Sequence, residues 1–313
     1  MLRNTFFNRL VMVGFCISAL VACTKDVSLK VDDKYTQPML VVNGALQPDS
    51  IIKINVSKSV SAFDYTATPS VLNNASVELW KDGAFYANCT NDGAGYYSVN
   101  EKPAFGHLYE FLVSESSIAT SVKVNAGLPS TVPVQMISVD TLAEEITIQI
   151  NDPDTSNYYA FDLLAIDSFG YSSSLTLYTD NAELLDNAKS PIFSFSRHNN
   201  RKLHSLPTYI SDNLFNGTSG QYVLSFNTEK GNGGGHGGPP PPPNGGSAGL
   251  PNGTYILTVY SVSAPLYKYV KSIDGASNPN PFSAEPTQIY SNVQGGLGVL
   301  GAMNPQRFYI QKK

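Results

Sequence analysis

The glycines of Gly296-Leu297-Gly298-Val299-Leu300-Gly301 have the spacing that lets a backbone approach a pyrophosphate. A dinucleotide site also needs a strand before the motif, a helix after it and an acidic residue about 20 positions on. Twelve residues follow Gly301 and none is acidic, so the stretch reads as a glycine-rich turn before a closing strand at Arg307 to Gln311. A second match, Gly233 to Gly238, is compositional. His107, His198, His204 and His236 form no H-E-x-x-H set. His198 and His204 could meet across a turn, but Arg197, Arg201 and Lys202 beside them would repel a cation. Ser219 in Gly217-Thr218-Ser219-Gly220 lacks the spacing of a nucleophile elbow. Asp152-Pro153-Asp154 offers two carboxylates, but such a triplet between strands is turn chemistry, and the spacing does not set the separation glycoside hydrolysis requires. Trp80 and the tyrosines could stack on a sugar, yet their alternating strand positions point to core packing. The expected tally is no catalytic residue, no metal and no cofactor.

Cys23 has a more definite chemistry. Arg3 and Arg9 flank a polar start, Val11 to Val21 carries no charge, and Leu20-Val21-Ala22 leads directly into Cys23. The apolar run is too short to span a bilayer, which takes about 20 residues, and Thr24-Lys25-Asp26 ends it. Residues 1–22 therefore read as a cleaved export signal. Leu20, Val21, Ala22 and Cys23 resemble the bacterial lipobox, in which the cysteine thiol receives a diacylglyceryl group. Two or three acyl chains hold a protein on a membrane where a single chain is marginal. Thr24-Lys25-Asp26 is similar to the short tags that carry lipoproteins to the cell surface, with a periplasm-facing attachment as the alternative.

Loss of Arg3 and Arg9 with the signal takes the net charge from −5 to −7 without leaving a basic block, which argues against nucleic acid as a partner. With Cys16 removed and Cys23 lipidated, Cys89 has no partner within the chain, so stability must come from burial.

These features hang on strands. Ile52, Ile54 and Val56 alternate with polar residues, as do Ile146, Ile148 and Ile150. Further strands are expected at Leu40–Asn43, Ser76–Trp80, Ala84–Cys89, Leu108–Ser114, Tyr158–Ile166, Ser174–Tyr178, Tyr222–Phe226 and Thr254–Val262. Helical spacing is confined to Ala182–Ala188 and Pro265–Ile273. The expected fold is mainly β, with two sandwich-like domains. Residues 23–35 form a tether and 36–128 an immunoglobulin- or transthyretin-like domain. Ala126 to Pro133 forms a junction, and 130–313 a larger β domain with a low-complexity loop at 230–252. Ser50 and Thr141 sit in triplets that resemble an O-glycosylation sequon.

Several segments recur in one order: Pro38 to Gly44, Ala75 to Leu79, Gly95-Tyr96-Tyr97, Gly106 to Tyr109, Asn157-Tyr158-Tyr159, Ser211 to Gly217, Tyr267-Lys268-Tyr269, Asn280-Pro281-Phe282, Ile289 to Asn292 and Gly295 to Gly298. Together they resemble a Bacteroidota lipoprotein family, domain-of-unknown-function family 4249. The insertion at 230–252 departs from that pattern. The resemblance implies a lipid-anchored outer-membrane or surface protein that accompanies a TonB-dependent transporter in nutrient uptake as a non-catalytic binding component. The alternatives are an autonomous carbohydrate-binding or adhesin-like module and, further off, a hydrolase.

Overall fold

The computed structural model describes residues 38–60, 70–141, 143–167, 169–179, 181–184, 208–227, 253–277 and 288–312. The lipobox Leu20 to Cys23, the tether, His198, His204, His236 and the 230–252 loop lie outside them.

In the first half, alternation becomes two facing sheets. Its strands are β1 (Leu40–Leu46), β2 (Ile52–Lys58), β3 (Ser70–Val71), β4 (Ser76–Lys81), β5 (Ala84–Asn88), β6 (Thr90–Gly93), β7 (Tyr96–Val99), β8 (Leu108–Glu115) and β9 (Ile118–Gly127). One sheet runs β5-β4-β8-β9 and the other β1-β2-β7-β6, with β3 on β2. Val42, Ile54, Val56 and Tyr97 from one meet Leu79, Tyr109, Phe111 and Val124 from the other in a single buried cluster. This is the sandwich expected from period-two patterning.

The second half comprises β10 (Val134–Asp140), β11 (Glu145–Asn151), β12 (Tyr158–Asp167), β13 (Ser172–Tyr178), β14 (Thr208–Ser211), β15 (Ser219–Asn227), β16 (Gly253–Val262), α1 (Ala264–Ser277) and β17 (Leu297–Lys312). The order β10-β11-β15-β13-β12-β16-β17 places Ile146, Ile148, Ile150, Phe161, Leu163, Leu224 and Leu257 on one inner face, which packs on itself as the sheet curls. The sheet does not close into a barrel. Its ends are bridged by one side chain: Val134 N–H donates to Gln306 Oε1 (3.3 Å), and Gln306 Nε2 donates to the Val134 carbonyl (2.7 Å). Helix α1 lies on the outer face, where Leu266, Tyr267 and Val270 pack with Ala160, Tyr209, Val262 and Met303.

Strand β17 serves both halves. Leu297 to Ala302 pairs in parallel with β1, and Met303 to Lys312 pairs antiparallel with β16. Val293, Leu300 and Ala302 accordingly belong to the first core, whereas Ile310 belongs to the second. A contiguous second domain over 130–313 must therefore be amended, because its last strand begins inside the first.

Three other expectations change. Ala126 and Gly127 lie in β9 opposite Tyr109 and Leu108, so the junction shrinks to the few residues after them. Ala182–Leu184 is a single 3-10 turn, and the rest of that expected helix lies outside the described residues. The closing strand starts at Leu297, ten residues before Arg307, because the glycines allow β17 to lie against β1.

The sheet edges are blunted. β5, β6 and β10 each carry a register shift, and the outer edge of β9 is covered at Lys123 by reciprocal backbone bonds with Gln294 (3.2 and 2.8 Å). Bulges and covered edges oppose edge-to-edge association.

Candidate functional site

Asp152, expected to be an ordinary turn residue, is instead a buried hub. One of its carboxylate oxygens accepts the Tyr159 hydroxyl, and the other accepts the Gly217 N–H (2.9 Å). Its own N–H donates to the Thr218 carbonyl (2.9 Å). Asp212 repeats the arrangement one step away: its carboxylate accepts the Asn157 N–H (2.5 Å), while its N–H donates to the Asn157 carbonyl (3.2 Å). Two buried acids thus staple the 212–218 loop onto the β11–β12 turn. Phe215 completes the anchor, packing between Tyr159 (5.7 Å between ring centroids) and Tyr222 (5.6 Å).

What the staple presents to solvent is Asn213, Leu214 and Asn216, exposed between the buried residues Asp212 and Phe215 and the left-handed Gly217 (φ +70°). Loops positioned by a rigid scaffold are where binding residues concentrate. Burial raises the pKa of Asp212, and burial together with the Asp152 carboxylate pushes Tyr159 well above the usual phenol range. The Tyr222 hydroxyl is buried and meets no hydrogen-bond partner among the described residues, and it too is raised, by burial first and then by the nearby Glu183 carboxylate. Neither phenol is poised to exchange a proton near neutrality.

A second cluster forms around the glycine-rich segment. Gly298 has φ +105°, and a Cβ there would stand 2.2 Å from the Val42 carbonyl oxygen. A Cβ on Gly301 would stand 2.5 Å from Leu266 Cβ. These glycines admit a strand and a helix at close range, and strand β17 runs on through them to Lys312. Asparagine side chains supply ladder bonds that β17 lacks. Asn292 Oδ1 accepts the Leu300 N–H (3.0 Å), Asn292 Nδ2 donates to the Leu300 carbonyl (2.9 Å), and Asn43 Oδ1 accepts the Val299 N–H (3.3 Å).

Segments distant in sequence therefore converge in two places: Asn157 to Tyr159 with Ser211 to Gly217, and Pro38 to Gly44 with Asn292 to Gly301. Residues 24–308 match the family described as Domain of unknown function (DUF4249). The chain belongs to that family. No curated protein matches it.

The remaining candidates of this DUF4249 chain stay apart. His107 pairs with Asp82 (2.6 Å) in a half-exposed turn, where hydrogen bonds from Leu108 and His107 lower the Asp82 pKa. Asp154 and Ser219 are exposed, and Ser219 bonds Asn151 and Gln149 rather than a histidine. Among the described residues no three His, Cys, Asp or Glu side chains converge as a metal site. Trp80 departs from the core expectation. It is half-buried on the outer face of its sheet, edge-on to Phe85 (5.9 Å) and donating to Glu78, whereas Tyr97, Tyr109, Tyr159, Tyr222 and Tyr255 are buried. Burial pushes the Cys89 thiol up to about 12, which keeps it protonated and unreactive. Ser50 lies exposed in a turn, and Thr141 lies in the turn after β10. Among the described residues no helix is long and apolar enough to cross a membrane.

Sequence reasoning missed the Asp152–Asp212 staple. Its one available clue was a pair of aspartates beside aromatic residues at distant positions, whose pairing only β12–β14 register reveals.

Proposed function

We propose that this protein is a lipid-anchored, non-catalytic binding component of the bacterial outer envelope, held through Cys23 and associated with a TonB-dependent transporter in nutrient uptake. The carrying observation is the lipobox-like Leu20-Val21-Ala22-Cys23 at the end of an uncharged run of signal-peptide length. The family match begins at residue 24, directly after that cysteine, so signal and family body do not overlap. A body of paired sheets that presents a stapled loop suits recognition, and it leaves membrane attachment to the lipid.

Two measurements test the reading. Cells fed radiolabelled palmitate should label the wild-type chain, and Cys23→Ser should abolish the label and leave the uncleaved precursor. Crosslinking in intact envelope followed by purification should then recover a large β-barrel partner. Unlabelled wild-type protein would remove the anchor, and failure to recover a barrel under several growth conditions would remove the transporter association.

A further inference from the structure

Three glutamines stand in one cross-strand row on the outer face of the second half. Gln135 of β10 lies opposite Gln149 of β11, which lies opposite Gln221 of β15. Ile148, Ile150, Tyr222 and Leu224 alternate with them and fill the inner face, so strand geometry turns all three amides outward. The flanking rows are Asn151 opposite Ser219, and Thr147 opposite Val223. None of these side chains is charged; the acids Asp140 and Glu145 appear only at the far end of the β10–β11 pair. The outer face of the first half differs, carrying Glu78 and a Glu110–Lys123 ion pair (2.8 Å).

The middle of the row is preorganised. Gln149 Nε2 donates to Asn151 Oδ1 (2.9 Å) and Ser219 Oγ (3.0 Å), and Ser219 Oγ donates to Asn151 Oδ1 (2.5 Å). Gln135 and Gln221 are exposed, and their side chains make no hydrogen bond among the described residues. The face thus pairs a fixed central amide with two outer amides that have both donor and acceptor capacity to offer.

That chemistry selects its ligand. An anionic partner would call for Arg or Lys forks, and a protein interface for central aromatic anchors in a desolvated pocket; among the described side chains the glutamine row and its flanking rows have neither. A neutral, extended, hydroxyl-rich chain matches repeated donor–acceptor groups carried on strands about 4.8 Å apart, and Val223 gives an apolar contact for ring C–H groups. We infer that the Gln135–Gln149–Gln221 face binds a neutral polysaccharide. The inference rests on the capture role proposed above and names the class of molecule captured.

The test is affinity electrophoresis of the full chain, purified in mild detergent, through native gels holding dextran, galactomannan or xyloglucan, with polygalacturonate as the anionic comparison. At least one neutral polymer should retard the wild-type protein. Gln135→Ala/Gln221→Ala should weaken that retardation at least tenfold with an unchanged thermal midpoint, because neither side chain is bonded within the fold. Gln221→Glu, which keeps the shape and adds a charge, should weaken it as well, whereas Ser76→Ala on the first half should leave it intact. Retardation by none of the neutral polymers, by polygalacturonate alone, or equally for wild type and both glutamine variants would overturn the assignment. A chain that still recovers a β-barrel by crosslinking while failing in every gel would lose this assignment alone.

Discussion

Replacing Gly298 with alanine should separate two costs that glycine substitutions usually confound. At φ +105° an L-residue is strained by roughly 1–3 kcal/mol. The new Cβ would also stand 2.2 Å from the Val42 carbonyl oxygen and 2.8 Å from Asn43 Oδ1, both in β1, so the β1–β17 ladder must part. Losing two ladder bonds at about 1 kcal/mol each brings the total to about 3–5 kcal/mol. Gly83 supplies the control, with a left-handed φ of +82° and nothing within 4 Å of an added Cβ; Gly83→Ala should cost the strain alone, about 1 kcal/mol. At about 2–4 °C per kcal/mol for a chain of this class, Gly298→Ala should lower the thermal midpoint by roughly 6–20 °C and Gly83→Ala by about 2–4 °C. Circular dichroism reads the whole body, and the fluorescence of Trp80, the sole tryptophan, reads the first half. Because β17 belongs to both cores, the two probes should shift together. A Gly298→Ala midpoint within 2 °C of the Gly83→Ala midpoint would refute the close approach of β17 to β1. Probes that part company would refute the coupling.

Two further outcomes follow from the buried polar staple. Tyr222→Phe removes a hydroxyl that is buried without a partner among the described residues, so urea denaturation should find the variant as stable as wild type or up to about 1 kcal/mol more stable; a loss above about 1 kcal/mol would mean the hydroxyl is satisfied. Burial raises the folded pKa of Asp212 above its unfolded value, so the folded state binds the proton more readily, and this group's contribution is greatest at low pH and is lost as pH rises through the folded pKa. Asp212→Asn should therefore lose less stability than wild type between about pH 4 and 7, and a larger loss in the variant, read from thermal midpoints across that range, would contradict the sign.

Much of the fold is legible in residue alternation. Ile52-Lys53-Ile54-Asn55-Val56 and Ile146 to Ile150 declare an inside and an outside without reference to any other segment, and both are strands with those faces. The Ile118–Gly127 strand is harder to read, because Ala126-Gly127-Leu128-Pro129 carries linker composition; what holds Ala126 and Gly127 in a strand is pairing with Tyr109 and Leu108. Asp152 shows the same limit at the candidate site. Its neighbours in sequence mark a turn, and its burial comes from Tyr159 and Gly217, which tertiary pairing delivers. The glutamine row is legible only in part, since alternation puts each glutamine outward but a row requires three strands in register.

The double duty of β17 bears on how such a protein would work. The first core is built on strands that begin at Leu40, while the stapled loop and the glutamine face belong to the second half. Two domains joined by a short linker would move independently unless their interface were large and apolar. Here a continuous 16-residue strand leaves one core and enters the other. Side-chain bonds fasten the connecting segment to that strand and its neighbour, from Asn304 Nδ2 to the Pro129 carbonyl (3.0 Å) and from the Val132 N–H to Ser261 Oγ (3.0 Å). Reorienting one half against the other would break the strand ladder as well as these bonds. A ligand held on the second half would therefore be presented at a fixed angle to the first half.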